Sequence, residues 1–295
     1  MGSPPDGGIE TIKEVMHVFD YIVIGAGSAG CVMAARLAED HSVLLIEAGR
    51  ANPAWDFRLH MPAALSEVLT STRYNWAFET EPEPFLGQRN LYCPRGKVVG
   101  GSSSINGMIF VRGHAEDFNR WSEVYGASGW SYQDVLPFFK ASETKAGGDP
   151  DYRGHTGPLK ITNGDTSSPL CQAWLEAGES LGFGRTPDFN GETQEGFGPF
   201  DRTVADGLRQ SVARAYLSPK NNLGLSGLTI LTQAEVQHIA FDGDRAVGVQ
   251  VLVNGRLKSF QASREIILSA GAIKSPQVLM RSGIGSESAL KASGI

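Results

Sequence analysis

The chain has 295 residues, a formal net charge of −6 and 41% hydrophobic residues. A chain of this length forms about two domains, and this much apolar material supports a sizeable core, which excludes a disordered protein. The mildly acidic balance disfavours nucleic acid as a partner, because binding to a phosphate backbone needs a basic surface. The 36 glycines have no three-residue period, which excludes collagen and favours backbone contact with a ligand.

The first predicted unit combines two strands and a helix. Residues 1–16 are predicted to be a tail that precedes it. Residues 19–24 then predict a β-strand, residues 31–39 a helix and residues 42–46 a second strand. Together they predict a βαβ unit with parallel strands and a right-handed crossover.

The middle of the chain alternates between irregular and helical patterns. Residues 50–95 have no sustained period and predict a long surface excursion, a kind of segment that is often functional. Residues 117–140 predict a helix that is interrupted by a turn at 126–130. Residues 146–166 predict a loop, and an amphipathic pattern predicts a helix over 170–181.

The last third of the chain is rich in strand signals. Turn residues at 242–244 and 254–255 predict that three of its strands form an antiparallel meander. A further strand is followed by Ala270-Gly271-Ala272, which predicts a tight turn, and a helix is predicted over 275–282. The predicted strands cover 229–231, 236–241, 246–253, 257–261 and 265–269.

Targeting signals and cysteines indicate the cellular compartment. No run approaches the roughly 18 apolar residues of a membrane span, and residues 1–14 lack the basic and apolar regions of a signal peptide. Cys31, Cys93 and Cys171 are far apart and include no CxxC pair, so we expect free thiols in a reducing compartment. We therefore expect a cytoplasmic protein, with peripheral attachment to a membrane left open.

The strongest motif is the hexapeptide from Gly25 to Gly30, which matches GxGxxG between a predicted strand and a predicted helix. In such a turn the glycines permit a tight bend and close approach of the backbone to a pyrophosphate, and the helix N-terminus supplies N–H donors. Glu47, at the end of the second predicted strand, is placed to meet a ribose hydroxyl pair. Its carboxylate disfavours NADP and leaves NAD and FAD open; a tight turn without a ligand is the alternative.

A second glycine cluster lies in residues 95–108, with the sequence RGKVVGGSSSINGM. Gly100 and Gly101 allow close backbone approach, and the three serines that follow supply small polar groups suited to the edge of a polar cofactor. A Ser/Gly linker is the alternative, but the flanking apolar residues and the absence of repetition favour an ordered segment.

These motifs together resemble the glucose-methanol-choline (GMC) oxidoreductase family of flavoproteins. The resemblance is carried by residues 25–30, the Glu47-Ala48-Gly49 tripeptide, residues 95–108, and GAIKSP at 271–276 followed by SGIG at 282–285. It extends from Phe19 to Ile295. The stretches that resemble choline-dehydrogenase-like members are HMPA at 60–63, RYNW at 73–76, RGHAED at 112–117 and QEGFG at 194–198.

The resemblance implies an α/β fold: a Rossmann-like FAD-binding domain of the GMC type with an antiparallel β-meander, and part of an α+β substrate-binding domain. The expected FAD-binding domain is discontinuous, with residues 17–130 and 226–295, and residues 131–225 begin the substrate-binding domain. Members of the family are longer, so we expect this chain to be the N-terminal part, with the C-terminal remainder absent. The family's catalytic base, a histidine with a His or Asn partner, is then expected beyond Ile295, and no catalytic residue is assigned within the chain.

The same resemblance implies FAD as the cofactor, with its ADP half on residues 25–30 and Glu47 and its isoalloxazine ring against residues 100–109. Some members attach FAD through a histidine before the asparagine of this segment; Ile105 occupies that place here, so noncovalent FAD is expected. The residues that the resemblance assigns to FAD are Gly25, Ala26, Gly27, Ser28, Ala29, Gly30, Glu47, Ala48, Trp76, Arg95, Val98, Gly100, Gly101, Ser102, Asn106, Gly107, Met108, Ile109, Val236 (through its backbone, to adenine), Ala270 and Gly271.

The implied activity is oxidation of a primary alcohol, choline-like or other, to an aldehyde by hydride transfer to flavin N5. The expected partners are a small alcohol and an electron acceptor, either O2 or a respiratory or artificial acceptor. A homo-oligomer and a separate chain that carries the C-terminal portion are left open. Three alternatives remain: an FAD-binding half that needs another chain, a family member with lyase or photochemical activity, and an NAD-dependent dehydrogenase.

The histidines do not identify a base or a metal site. No histidine has a partner at a spacing typical of a catalytic pair or a metal site. Structural or surface roles are favoured for all six, which are His17, His41, His60, His114, His155 and His238. No HExxH or clustered His/Cys/carboxylate pattern is present, so no metal is expected. A hydrolase is disfavoured because the sequence lacks the GxSxG of a nucleophile elbow.

Overall fold

The computed structural model describes residues 17–218 and 225–295, and the predicted tail at 1–16 lies outside them. The strands are β1 (His17–Ile24), β2 (Val43–Ile46), β3 (Phe78–Glu79), β4 (Tyr92–Cys93), β5 (Ile109–Phe110), β6 (Glu143–Lys145), β7 (Leu159–Ile161), β8 (Asp201–Arg202), β9 (Val204–Ala205), β10 (Leu208–Arg209), β11 (Leu228–Leu231), β12 (Ala234–Asp242), β13 (Arg245–Val253) and β14 (Arg256–Leu268). The α-helices are α1 (Ser28–Leu37), α2 (Phe57–His60), α3 (Leu65–Thr70), α4 (Ala115–Glu123), α5 (Tyr132–Ser142), α6 (Pro169–Ser180), α7 (Val212–Tyr216), α8 (Gly271–Arg281) and α9 (Glu287–Ala292).

A six-stranded mixed sheet organises the chain, in the order β11-β2-β1-β14-β13-β12. The strands β11, β2, β1 and β14 run parallel, whereas β12, β13 and β14 pair antiparallel as the predicted meander. The α/β fold, the βαβ unit and the meander are therefore confirmed.

The strand β14 joins the two parts of this sheet. Its first half pairs with β13, and its second half pairs with β1. The prediction of two separate strands at 257–261 and 265–269 is wrong, because the residues between them contain no glycine or proline and form only an irregularity in the β1–β14 pairing. The strand β14 thus continues through this irregularity as one long strand.

The core lies on both faces of β1 and β2, as expected for parallel strands rich in Val, Ile and Leu. All four residues of β2 are buried. On one face, the small side chains of Cys31, Ala34 and Ala38 let α1 pack closely on the sheet. On the other face, β12, β13 and Val278 of α8 close the core.

Several predicted helices and loops have different bounds in the structure. The helix α1 begins at Ser28, three residues before its predicted start, and α8 begins at Gly271, where a left-handed backbone (φ +82°) permits an abrupt turn after β14. The interrupted helix at 117–140 is confirmed as α4 and α5, and the helix at 170–181 as α6. The predicted loop at 146–166 contains the short strand β7.

The predicted excursion at 50–95 contains the short elements α2, α3, β3 and β4 and has a small core of its own. Leu59, Val68 and Tyr74 are buried together with Val98 and Ile105. The Tyr74 hydroxyl donates a 2.6 Å hydrogen bond to Asp56. The shared cluster attaches the excursion to residues 95–105.

The domain boundaries at 130/131 and 225/226 stay predictions. Several contacts cross the first boundary; for example, β5 pairs with β8, and Arg112 forms a 2.9 Å ion pair with Glu143. Within the described ranges, no helix has the length and the apolar character needed to cross a membrane.

A candidate dinucleotide site at the carboxyl ends of the strands

A cavity of about 530 Å³ lies where β1, β2 and β14 end. Its walls come from the turns after these strands, the start of β12, the N-terminal half of α8 and the excursion. Ligands of open α/β sheets bind in this position, beyond the carboxyl ends of parallel strands. The lining residues are Ile24, Gly25, Gly27, Ser28, Ala29, Ile46, Glu47, Ala48, Trp76, Phe78, Arg95, Gly96, Gly101, Ser102, Ala234, Glu235, Val236, Leu268, Ser269, Ala270, Gly271, Ala272, Ile273, Lys274, Ser275, Gln277 and Val278.

Glycines form the floor of this cavity. Gly25 has a left-handed backbone (φ +94°), and a Cβ there would lie 2.7 Å from the carbonyl oxygen of Ser269. A Cβ at Gly30 would overlap the carbonyl oxygen of Gly25. A Cβ at Gly27, in contrast, would meet only Ser269 O, at 3.9 Å. The first and third glycines are thus required by packing, and the second leaves space on the cavity side.

The N-terminus of α1 is available to an anion. Gly27 precedes the helix and provides no side-chain cap, and the first turn contains no acidic residue. The first N–H groups of a helix lack intrahelical partners and carry a partial positive charge. A phosphate group above Gly27 would satisfy them.

Glu47 follows β2 and is only 6% exposed. Its Oε2 accepts a 3.0 Å hydrogen bond from the Ala26 N–H, and its Oε1 accepts a 2.8 Å bond from the Gly49 N–H. Burial raises the pKa of Glu47 to about 7, although the two hydrogen bonds act in the opposite direction. Each carboxylate oxygen can accept a second bond, so the side chain can still receive hydroxyl donors from a ligand.

The second glycine cluster is joined directly to the GxGxxG turn. The Gly100 N–H donates a 2.7 Å hydrogen bond to the carbonyl oxygen of Ala26. A Cβ at Gly101 (φ +54°) would lie 2.7 Å from the Cα of Gly27. Gly101–Ser104 form a 3-10 turn, so this segment is ordered structure rather than a linker.

An aromatic and cationic wall faces the glycine floor. The ring of Trp76 stacks on Phe78, with centroids 5.8 Å apart. The ammonium groups of Lys97 and Lys274 lie 4.2 and 4.1 Å from the centroid of Trp76. Lys274 also forms a 3.1 Å ion pair with Glu235. Aromatic faces attract such cations, and the arrangement fixes the orientation of the indole.

The comparisons with known proteins agree with this geometry. The sequence model of the GMC oxidoreductase family matches residues 19–292. The chain belongs to the GMC oxidoreductase family. It is 51% identical over 273 residues to the oxygen-dependent choline dehydrogenases of Escherichia coli strains SMS-3-5 / SECEC and K12 / DH10B, which covers 90% of this chain and 48% and 49% of those relatives. The chain thus spans about half the length of the curated relatives it matches.

Solved structures show the same fold. Pyridoxine 4-oxidase from Mesorbium loti superposes with a TM-score of 0.88 at 36% identity, over 94% of this chain and 54% of that one. An FAD-dependent oxidoreductase from Chaetomium thermophilum superposes with a TM-score of 0.82 at 28% identity, over 94% of this chain and 49% of that one.

The structure brings together most residues that the GMC resemblance assigns to FAD. Those that line the cavity are Gly25, Gly27, Ser28, Ala29, Glu47, Ala48, Trp76, Arg95, Gly101, Ser102, Val236, Ala270 and Gly271. Those outside its lining are Ala26, Gly30, Val98, Gly100, Asn106, Gly107, Met108 and Ile109. The last four follow the 3-10 turn, and their contact with a flavin ring stays a prediction, as does the contact of Val236 with adenine.

Several residues of the site were not predicted, and four of them have polar side chains that bear on the proposals below. Ser269, Glu235 and Lys274 line the cavity, and Arg209 lies buried behind residues 103–106. The position of Ser269, just before the predicted turn at 270–272, was a usable signal. Lys274 lies within the GAIKSP motif at 271–276, although its partner Glu235 is distant in the sequence. For Glu235 and Arg209 no local pattern marks the position.

The histidines and cysteines take no part in the cavity. Among the described residues no histidine lines it, and no group of His, Cys, Asp or Glu could hold a metal ion. His60 contacts the carbonyl oxygen of Pro53 (3.1 Å), and His114 caps α4. Burial raises the pKa of the Cys31 thiol to about 12, which keeps it protonated and unreactive.

Proposed function

We propose that this chain is the FAD-binding N-terminal part of a choline-dehydrogenase-like GMC enzyme that oxidises a primary alcohol to an aldehyde. The observation that carries the proposal is the cavity that unites the GxGxxG floor, Glu47 and residues 95–104 at the carboxyl ends of the strands. FAD is favoured over NAD because residues 95–104 extend the site beyond the βαβ unit, and because 28–51% identity links the chain to choline dehydrogenases and FAD-dependent enzymes.

Different parts of the chain in and beside the cavity have separate tasks in this proposal. The N-terminus of α1 binds the pyrophosphate, and Glu47 accepts hydrogen bonds from the ribose hydroxyls. Residues 106–109 orient the ring system. When bound, FAD supplies a ring that accepts a hydride from the alcohol carbon. Ile105 is buried in the apolar cluster beneath the excursion and offers no atom for a covalent bond, so the cofactor is held noncovalently.

Alcohol oxidation also needs a base that takes the hydroxyl proton. No described histidine lines the cavity, and the chain spans about half the length of the curated relatives it matches, so the position of the base stays a prediction of the family resemblance. A second candidate follows from that observation: the chain binds FAD but becomes catalytic only with another chain. The electron acceptor, a homo-oligomer, a cytoplasmic location and lyase or photochemical activity stay predictions or alternatives.

Anaerobic bleaching tests the proposed function. The FAD-loaded chain is mixed with choline and with other primary alcohols without oxygen, and the flavin absorbance is followed. Bleaching by an alcohol supports the enzyme. FAD binding without bleaching by any alcohol agrees with both candidates, because the family's base is expected beyond Ile295, and a colourless chain that binds NAD contradicts both. Acid precipitation should release the yellow chromophore into solution if FAD is noncovalent.

Glu47 should make FAD binding depend on pH. Its pKa of about 7 means that the carboxylate, the better acceptor for ribose hydroxyls, is lost as the pH falls below 7. We expect the Kd for FAD to rise as the pH falls from 8 to 5.5. Because the folded pKa lies above the unfolded value, protonation of Glu47 should stabilise the FAD-free chain over this same interval. Glu47→Gln should remove this part of both pH dependences; an unchanged profile would contradict the assignment.

Lys274 should contribute moderately to FAD affinity. Lys274→Ala removes a cation from the cavity wall and leaves Glu235 without this ion pair beside an anionic ligand. We expect FAD to bind about threefold to tenfold more weakly. Lys291→Ala is the matched control, because it breaks a comparable but exposed ion pair with Glu287 on α9. Equal Kd values for the two variants would exclude Lys274 from the site.

A further inference from the structure

Arg209, at the end of β10, carries a charge that the described residues leave uncompensated. Its side chain is completely buried. Its Nη1 donates hydrogen bonds to the carbonyl oxygens of Asn106 (2.6 Å) and Ser103 (3.4 Å) and to Asn106 Oδ1 (2.8 Å). Among the described residues it has no carboxylate within ion-pair distance, and its Nε and Nη2 have no hydrogen-bond partner. Buried arginines are normally paired.

The acceptor of Arg209 belongs to the segment proposed to face the flavin ring. Asn106 Oδ1 also accepts a 3.2 Å hydrogen bond from the Met108 N–H. Met108 has a left-handed backbone (φ +64°), which is strained for a residue with a side chain. The Met108 carbonyl oxygen in turn accepts a 2.9 Å bond from the Thr203 N–H. Arg209 and Thr203, which are distant in the sequence, therefore both donate hydrogen bonds to the strained turn at residues 106–108.

Burial disfavours the charged form of Arg209. Burial lowers its pKa to about 10. A base whose pKa falls on folding is less stable in its charged form in the folded chain, so the cost is present in full below about pH 10 and declines above it. A buried charge without an opposite charge beside it is costly to the folded state. The cost of burying this charge therefore needs an explanation outside the folding of the described residues.

We propose that Arg209 is a positioning residue for the flavin: its guanidinium fixes Asn106 and supplies, from behind residues 103–108, the positive charge that favours the reduced flavin anion. This inference rests on the proposed function. When an alcohol is oxidised, its carbon gives up two electrons and one proton as hydride, and its hydroxyl proton goes to the base. The flavin gains the hydride and one negative charge. A buried cation without a described carboxylate partner acts on this charge through a medium of low dielectric constant.

Three variants separate the charge from the hydrogen bonds. Arg209→Lys keeps the charge, Arg209→Gln keeps an N–H donor for Asn106 without the charge, and Arg209→Met removes both. Arg185→Gln is the control, because this arginine is exposed and pairs with Glu179. The measurements are the Kd for FAD, the midpoint potential of the bound flavin against a reference dye reduced by dithionite, and the thermal stability of the FAD-free chain.

We expect Arg209→Gln and Arg209→Met to shift the reduction equilibrium toward oxidised flavin at least tenfold, which is about 30 mV for a two-electron couple. Arg209→Lys and Arg185→Gln should keep the wild-type potential, and Arg209→Met without FAD should be at least as stable as wild type. A wild-type potential in Arg209→Gln overturns this inference alone. If the wild-type chain binds no FAD, the proposed function fails together with it.

Discussion

Gly27→Val is expected to abolish FAD binding while the FAD-free chain keeps its fold. A Cβ at Gly27 meets only Ser269 O, at 3.9 Å, so the protein itself has room for it. The added side chain would instead occupy the space through which a pyrophosphate approaches the N-terminus of α1. We expect the Kd for FAD to rise at least about 100-fold, equal to roughly 2.7 kcal/mol, with a small change in thermal stability.

Two matched variants distinguish a loss of ligand space from a loss of stability and from a general effect of valine. At Gly30 a Cβ would overlap the Gly25 carbonyl oxygen, so Gly30→Val should unfold the turn and cost about 1–3 kcal/mol of stability or more. At Gly184, where nothing lies within 4 Å of an added Cβ, valine should affect neither property. Normal FAD affinity in Gly27→Val, measured by fluorescence titration, would rule out the proposed position of the pyrophosphate.

Glu143→Gln should destabilise the fold strongly. Glu143 is completely buried and accepts hydrogen bonds from Arg112 Nη2 (2.9 Å), Arg153 Nε (2.8 Å) and the Gly154 N–H (3.0 Å). Although burial disfavours the charge of Arg153, the carboxylates of Glu143, Asp201 and Asp188 together raise its pKa. Glu143→Gln removes the carboxylate charge that pairs with Arg112, whereas Arg153 keeps Asp188 and Asp201 as partners. Breaking a buried ion pair in this way costs about 3–5 kcal/mol.

The control for Glu143 is an exposed pair. Glu179 lies 3.0 Å from Arg185 on the surface, with about half of each side chain exposed. Glu179→Gln should therefore change the free energy of unfolding by less than about 1 kcal/mol. Urea denaturation of the two variants measures the difference, and similar losses would show that the buried network is no more important than a surface pair.

The sequence predicted the elements whose signals are local. The GxGxxG turn is recognisable because packing requires glycine at its first and third glycine positions, and the second leaves space for a ligand. The meander is recognisable because Asn254 and Gly255 both adopt positive φ values, as a tight hairpin turn requires. Glu47 was found from its position at the end of a strand, although its hydrogen bonds to Ala26 and Gly49 were not.

The features that escaped prediction depend on contacts between distant residues. The two-residue strands β3 to β5 and β8 to β10 are too short to show a period of two. Arg209 has no distinctive local pattern, because its partner Asn106 lies 103 positions away in the chain. The continuity of β14 was missed because its two halves pair with different strands. Such long-range pairings cannot be predicted from the pattern of neighbouring residues in the sequence.

A titration of the purified chain with FAD tests the central claim most directly. The visible spectrum and the quenching of flavin fluorescence report binding, and NAD is titrated in parallel under the same conditions. The account predicts saturable binding of one FAD per chain, release of the chromophore by acid, and loss of binding in Gly27→Val but not in Gly184→Val. A chain that binds NAD and leaves FAD free in solution would contradict it.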